Sequence, residues 1–69
     1  MNRGGGMTNK VAEFRKKCGL TQEELAKMAG ISRPYLSILE TNPEKIVSNA
    51  VMFKLADALG VSINAIFLP

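Results

Sequence analysis

Histidine and tryptophan are absent from the 69 residues, and cysteine occurs once, at Cys18. A single thiol excludes an internal disulfide, and without histidine the chain has too few nitrogen and sulfur donors for a zinc site. No metal or other cofactor is therefore expected, and no small-molecule site is evident. The same shortage argues against an enzyme, because there is no imidazole base, no nucleophile beside a base and no cluster of ligands to catalyse anything. No apolar run approaches the roughly 18 residues of a membrane span, and the start Met1-Asn2-Arg3-Gly4-Gly5-Gly6 lacks the apolar stretch of a signal peptide. These absences point to a protein that does not engage a membrane and stays in a reducing cytoplasm. The glycine triplet has no strand before it and no Gly-Lys-Ser/Thr after it, so it is read as linker or cloning remnant rather than as a phosphate cradle. Residues 1–7 are expected to be a flexible tail and residues 8–69 a single domain.

What the chain does have is a globular balance of 46% hydrophobic and 22% charged residues. At this length folding buries only about 60% of the surface that the unfolded chain exposes, so stability is modest. Nine Lys and Arg against six Asp and Glu give a formal charge of +3. That surplus either marks an anionic partner such as nucleic acid or is the ordinary surplus of a small protein, and charge alone does not decide between them.

The apolar pattern is helical throughout, with no sustained period of two and no internal repeat, which makes the class all-α. From Thr8 as N-cap, Val11, Phe14 and Cys18 recur at helical spacing, so the first helix is predicted over Asn9–Cys18, with Gly19 as its stop. Thr21-Gln22-Glu23-Glu24 is a capping box that opens a second helix, with Leu25, Ala26, Met28 and Ala29 on its apolar side and Gly30 at its end. Ser32 caps a third helix with Pro34 in its first turn, Leu36 and Leu39 on its buried side and its end near Thr41. The run from Asn42 to Val47 reads as a loop. Ser48 opens a fourth helix with a stripe of Val51, Met52, Leu55, Ala56 and Leu59, closed by Gly60. Ser62 opens a fifth that is predicted to run from Ile63 to about Leu68.

Two short helices joined by a glycine-containing turn, the second rich in exposed polar residues, make a helix-turn-helix. Ala26 must be small where the helices cross, Gly30 must turn, Ile31 must cover the hinge, and Leu36 and Leu39 must anchor the third helix. The run Leu20-Thr21-Gln22-Glu23-Glu24-Leu25-Ala26, then Gly30-Ile31-Ser32, Tyr35-Leu36-Ser37 and Leu39-Glu40, resembles the phage repressor and Cro type of helix-turn-helix protein, also called Xre-like. Leu55-Ala56-Asp57-Ala58-Leu59-Gly60-Val61-Ser62 is similar to that family's fourth helix and its link to the fifth. The resemblance covers nearly everything after Thr8.

The resemblance implies a five-helix, lambda-repressor-like domain whose third helix enters the major groove of double-stranded DNA. By that likeness Gln22 reaches a phosphate, the alternative being a solvated residue of the first turn, and Ser32, Arg33, Pro34, Ser37 and Ile38 face the groove. Arg33 is the side chain suited to guanine, because its planar fork donates to O6 and N7 together, while Pro34 offers only apolar contact, for example to a thymine methyl. Tyr35 either touches the sugar-phosphate backbone or covers the junction between the third and fourth helices, and Ile38 either meets a thymine methyl or packs. Lys45, Ser48 and Asn49 lie where the family's loop crosses the backbone, with Glu44 working against binding. Arg15 and Glu40 match an ion pair between the first helix and the end of the third.

The family's dimer contact falls around the fifth helix, where Val61, Ile63, Ile66, Phe67 and Leu68 offer more apolar surface than so short a helix is expected to bury internally. The implied function is a transcriptional regulator, a repressor, that binds a pseudo-palindromic operator as a homodimer, cytoplasmic and nucleoid-associated in a bacterium or encoded by a phage. The competing reading is an antitoxin-like or protein-interaction module on the same fold. Exposed Lys and Arg flanking the third helix favour DNA, and an apolar patch there favours a protein.

Overall fold

In the computed structural model, which describes residues 8–68, five helices surround one core: α1 (Val11–Lys17), α2 (Gln22–Ala29), α3 (Arg33–Thr41), α4 (Asn49–Leu59) and α5 (Ile63–Ile66). The expected tail, residues 1–7, lies outside the described residues. The class is all-α as the sequence predicts, with one small addition. Two-residue strands, β1 (Thr8–Asn9) and β2 (Phe67–Leu68), pair antiparallel, Thr8 opposite Leu68 and Asn9 opposite Phe67.

Local chemistry sets most boundaries. Thr21 accepts a hydrogen bond from the Glu24 amide (3.0 Å) while the Glu24 carboxylate accepts one from the Thr21 amide (2.8 Å), so the capping box fixes where α2 begins. Ser32 and Ser48 receive the amides of Tyr35 and Val51 in the same way, opening α3 and α4. Gly30 ends α2 at φ +71°, a conformation that costs a residue with a Cβ but not glycine, and the chain there turns sharply enough to lay α3 across α2.

The core side chains Val11, Leu25, Leu36, Leu39, Leu55 and Ile66 have no accessible surface, and Ala26, at 3%, lets α2 approach its neighbours closely. Each fully buried Leu or Ile stabilises the fold by roughly 1.5–3 kcal/mol. α2 packs on both α3 and α4, so the two helices of the motif share one hydrophobic floor. Val47 also belongs to this core, which pins the far end of the α3–α4 loop.

Two boundaries and the exposure of one residue differ from the sequence reading. Thr8 is not an N-cap: it sits in β1, Lys10 occupies the N-cap position of α1 without a side-chain cap, and Asn9, one residue earlier, accepts from the Val11 amide through Oδ1 at 3.1 Å. The fifth helix stops at Ile66 rather than Leu68, because Phe67 and Leu68 are drawn into pairing with β1. Met28, expected on the apolar side of α2, is 56% exposed, since Leu25, Ala26 and Ala29 already fill the contact.

Polar chemistry ties α1 to the end of α3. The Arg15 guanidinium donates to both Glu40 oxygens, at 2.7 and 3.1 Å, and to the Leu20 carbonyl at 2.7 Å, while Gln22 Nε2 donates to Glu40 Oε1 at 2.9 Å. The pair is largely buried, with 13% of the Arg15 side chain and 7% of the Glu40 side chain exposed. Burial is the largest single influence on Glu40 and opposes its ionisation. The hydrogen bonds from Arg15 and Gln22, with the positive charges of Arg15 and Lys16, together outweigh it and hold the carboxyl below its ordinary value. The bond to Glu40 in turn raises the Arg15 guanidinium above its ordinary value, against desolvation.

A carboxyl whose value is lowered on folding contributes stability above its unfolded value of 4.5, and that contribution disappears as pH falls below it. Thermal unfolding followed from neutral pH into acid should therefore show a loss of stability below that value in the wild type. Glu40→Gln should cost roughly 3 kcal/mol at neutral pH, by leaving Arg15 without its anion, and should show a much smaller loss in acid. An acid loss of the same size in Glu40→Gln would remove Glu40 as its source.

Candidate nucleic-acid interface

The first turns of α2 and α3 open onto the same cleft, lined by Arg15, Thr21, Gln22, Glu23 and Arg33. Gln22 follows the capping threonine, so the box that starts α2 also sets where its amide points. One of its two Nε2 hydrogens is committed to Glu40, which fixes the plane of the amide and orients the second hydrogen, the donor left for an anion. Gln22 is half-buried rather than freely solvated. Across the cleft, Ser32 caps α3 and leaves Arg33 and Pro34 in its first turn, and all three are exposed.

Along α3 the remaining candidates divide. Leu36 and Leu39 face the core, Ile38 is 45% exposed and Ser37 is half-buried. Tyr35 is half-buried and packs against the core. Beyond α3 the chain turns, with the Lys45 amide donating to the Asn42 carbonyl at 2.9 Å, and Lys45, Ser48 and Asn49 are all exposed. The Ser48 hydroxyl is already engaged as the cap of α4. Arg33 at the start of α3 and Lys45 in the loop after its end are thus exposed cationic residues, whereas Arg15 is taken up by its pair with Glu40.

The residues expected at a dimer contact are not brought together on the surface. Ile66 and Phe67 are 0% and 5% exposed, buried within the chain itself, which corrects the expectation that the fifth helix could not cover its own apolar residues. Both belong to the core cluster, and their backbone is held there by β1, which pairs with β2, and by the Lys10 amide, which donates to the Ile66 carbonyl. Leu68 pairs with Thr8 through its backbone, and Val61 and Ile63 are half-buried.

Phe53, 63% exposed on α4, is the apolar residue that sequence reasoning passed over, and with Ala56, Asp57, Val61, Ser62, Ile63 and Asn64 it walls a shallow groove between α4 and α5. Its signal was there to be read. Phe53 falls outside the stripe of Val51, Met52, Leu55, Ala56 and Leu59, so a large ring was bound to face away from the core. Ile46, 92% exposed in the α3–α4 loop, is a second such residue.

Comparison with known proteins agrees with this geometry. A family model described as helix-turn-helix matches residues 11–66. The chain is 46% identical over 54 residues to the uncharacterized HTH-type transcriptional regulator y4dJ of Sinorhizobium fredii, covering 74% of this chain and 65% of that one. It is 42% identical over 55 residues to the propionyl-CoA carboxylase regulator of Cereibacter sphaeroides, covering 80% of this chain but only 12% of that much longer protein. The chain thus spans less than two thirds of both relatives. Among solved structures, the master regulator for biofilm formation SinR in complex with DNA superposes with a TM-score of 0.76 at 33% identity, covering 80% of this chain and 87% of that one. The N-terminal DNA-binding domain of SinR from Bacillus subtilis gives the same TM-score at 32% identity, with 81% of each chain covered. With its turn, its two-helix motif and all of its core but Phe67 inside the matched residues, the chain belongs to the helix-turn-helix family of transcriptional regulators, in its Xre-like, lambda-repressor-like branch.

Proposed function

We propose that this chain binds a pseudo-palindromic operator as a homodimer, with α3 in the major groove, and acts as a repressor. The observation that carries the DNA reading is the shared cleft, in which an oriented amide on α2 and an exposed guanidinium on α3 lie on one side of the motif. Such a pair suits a double-stranded partner, since a phosphate fixes the register while a base edge next to it supplies the sequence. SinR, a protein of the same fold, has been seen in complex with DNA. An antitoxin-like protein-binding role would call for an apolar patch on α3. There the exposed first turn carries Ser32, Arg33 and Pro34, and the apolar groove lies instead on α4 and α5.

In this reading Arg33 reads a guanine through O6 and N7, and Pro34 and Ile38 meet thymine methyls. Gln22, Lys45, Ser48 and Asn49 hold phosphates, with Ser37 close to the groove wall and Tyr35 buttressing the helix from behind. Binding of this kind weakens with salt, each neutralised phosphate releasing about 0.9 counterion from B-DNA. The second copy of the chain sits at the α4–α5 groove. A ring that projects beside a groove on the same face is what a two-fold contact needs, because each copy then offers its Phe53 to the other's groove. Val61 and Ile63 line that contact, while Ile66, Phe67 and the β2 backbone support it from within.

The two roles separate in a panel of single-base operator variants. Arg33→Ala should lower affinity for the best site by about 1–3 kcal/mol and raise tolerance at one base pair per half-site. Lys45→Ala should weaken every variant by a similar factor and reduce the slope of log affinity against log salt by about 1. Uniform weakening by Arg33→Ala, or a changed base preference in Lys45→Ala, would reverse the assignment.

The dimer is tested by sedimentation and by DNA titration with Phe53→Lys. The substitution should leave the melting temperature nearly unchanged, because the ring is exposed in one chain, while the protein becomes monomeric and loses cooperative occupancy of the two half-sites. A wild type that is monomeric both free and on DNA would refute the contact.

A further inference from the structure

One residue outside the helix-turn-helix joins more parts of the chain than any single residue within it. Asn9, in β1, donates from its backbone amide to the Pro43 carbonyl at 3.0 Å. Its side-chain Nδ2 donates to that same carbonyl at 3.3 Å and to the Leu39 carbonyl at 3.2 Å, while Oδ1 accepts from the Val11 amide. The neighbouring Lys10 amide donates to the Ile66 carbonyl at 2.8 Å. Asn9 therefore receives the first amide of α1, satisfies one of the last carbonyls of α3, and takes hold of the loop that follows it, from a segment that is itself anchored to the end of the fifth helix.

The carbonyls concerned explain why an amide is needed. The last four carbonyls of a helix have no partner within it, and Leu39 supplies one of those of α3. Pro43 has no amide hydrogen of its own, so its carbonyl is the group by which the loop can be held at this point. Between Pro43 and the buried Val47 the chain carries Lys45, and its path is thus fixed at both ends, by hydrogen bonds from Asn9 and by the core.

We infer that Asn9 is a positioning residue for DNA binding: by tying Pro43 to the last turn of α3, it fixes where Lys45 meets the phosphate backbone relative to where Arg33 meets the bases. The inference rests on the DNA reading above, and it adds that the register between reading and gripping is set by the strand that closes the domain. A bound duplex is stiff, so a loop free to wander loses the benefit of its cation even though the cation is still present.

The test uses Asn9→Ser in the full chain. A serine hydroxyl can still accept from the Val11 amide and adds no charge, but it is too short to reach Leu39 and Pro43, so the bridge between those two carbonyls is lost while the backbone amide of residue 9 keeps its own bond to Pro43. In the free protein, hydrogen exchange of the Lys45 amide should accelerate by an order of magnitude or more while the core amides of α2 and α4 keep their protection. On DNA, Asn9→Ser should reproduce the reduced salt slope of Lys45→Ala, and the double variant should bind no more weakly than Lys45→Ala alone, since the two changes remove the same contact. Losses that multiply in the double variant, or an unchanged salt slope with Asn9→Ser, would make Asn9 merely structural and overturn the inference. Asn9→Ala serves as the second variant and should match Asn9→Ser on both DNA readouts despite its lower stability. Absence of salt-sensitive binding in the wild type is a different outcome: it overturns the DNA reading itself, and is visible before any variant is compared.

Discussion

A short recognition helix of nine residues has to be held at both ends if it is to present side chains at a fixed angle, and a chain this small has few ways to do so. The junction of Arg15, Glu40 and Gln22 is the main one. It is a largely buried ion pair in which the guanidinium meets both carboxylate oxygens and the Leu20 carbonyl, and in which the carboxylate takes a further hydrogen bond from an amide on α2. Buried pairs of this kind add little net stability compared with a well-packed apolar alternative, yet they tolerate only one arrangement. The junction adds directional hydrogen bonds from α1 and α2 to the non-directional packing of Leu36 and Leu39, and so constrains the end of α3 from two sides.

The same junction links stability to function through one side chain. Gln22 is part of the internal network and also lines the cleft beside Arg33, so the geometry of the phosphate grip in our proposal is inherited from the ion pair beneath it. At the other end of α3 the terminal ribbon does comparable work. β1 pairs with β2 through the backbone and, through Asn9, reaches the last turn of α3 and the start of the following loop. The β1–β2 pair thus braces α3 from outside the helix-turn-helix.

What could be read from the sequence and what could not follows from the range of the interactions concerned. The capping box at Thr21, the serine caps at Ser32 and Ser48 and the turn at Gly30 depend on residues within four positions of one another, and each was legible. The ion pair between Arg15 and Glu40 spans 25 positions and was anticipated through family likeness rather than through periodicity. Asn9 shows the limit: its partners Leu39 and Pro43 lie 30 and 34 positions away, and nothing in the local pattern separates it from the first residue of a helix. The fifth helix failed for the same reason, since whether Phe67 is a surplus apolar residue or a core residue depends on a strand from the opposite end. Of the candidate site, the exposure of Arg33, Pro34 and Lys45 agrees with what the sequence placed there, whereas the apolar surface turned out to centre on Phe53.

The central claim is that α3, held in this way, reads a specific DNA sequence. Selection of bound fragments from a random duplex pool by the purified wild-type chain tests it most directly, because it assumes neither an operator nor a partner. The account predicts enrichment of one motif with two symmetry-related half-sites whose centres lie about one helical turn, roughly 34 Å, apart. Recovered fragments with the base composition and sequence of the starting pool would contradict it.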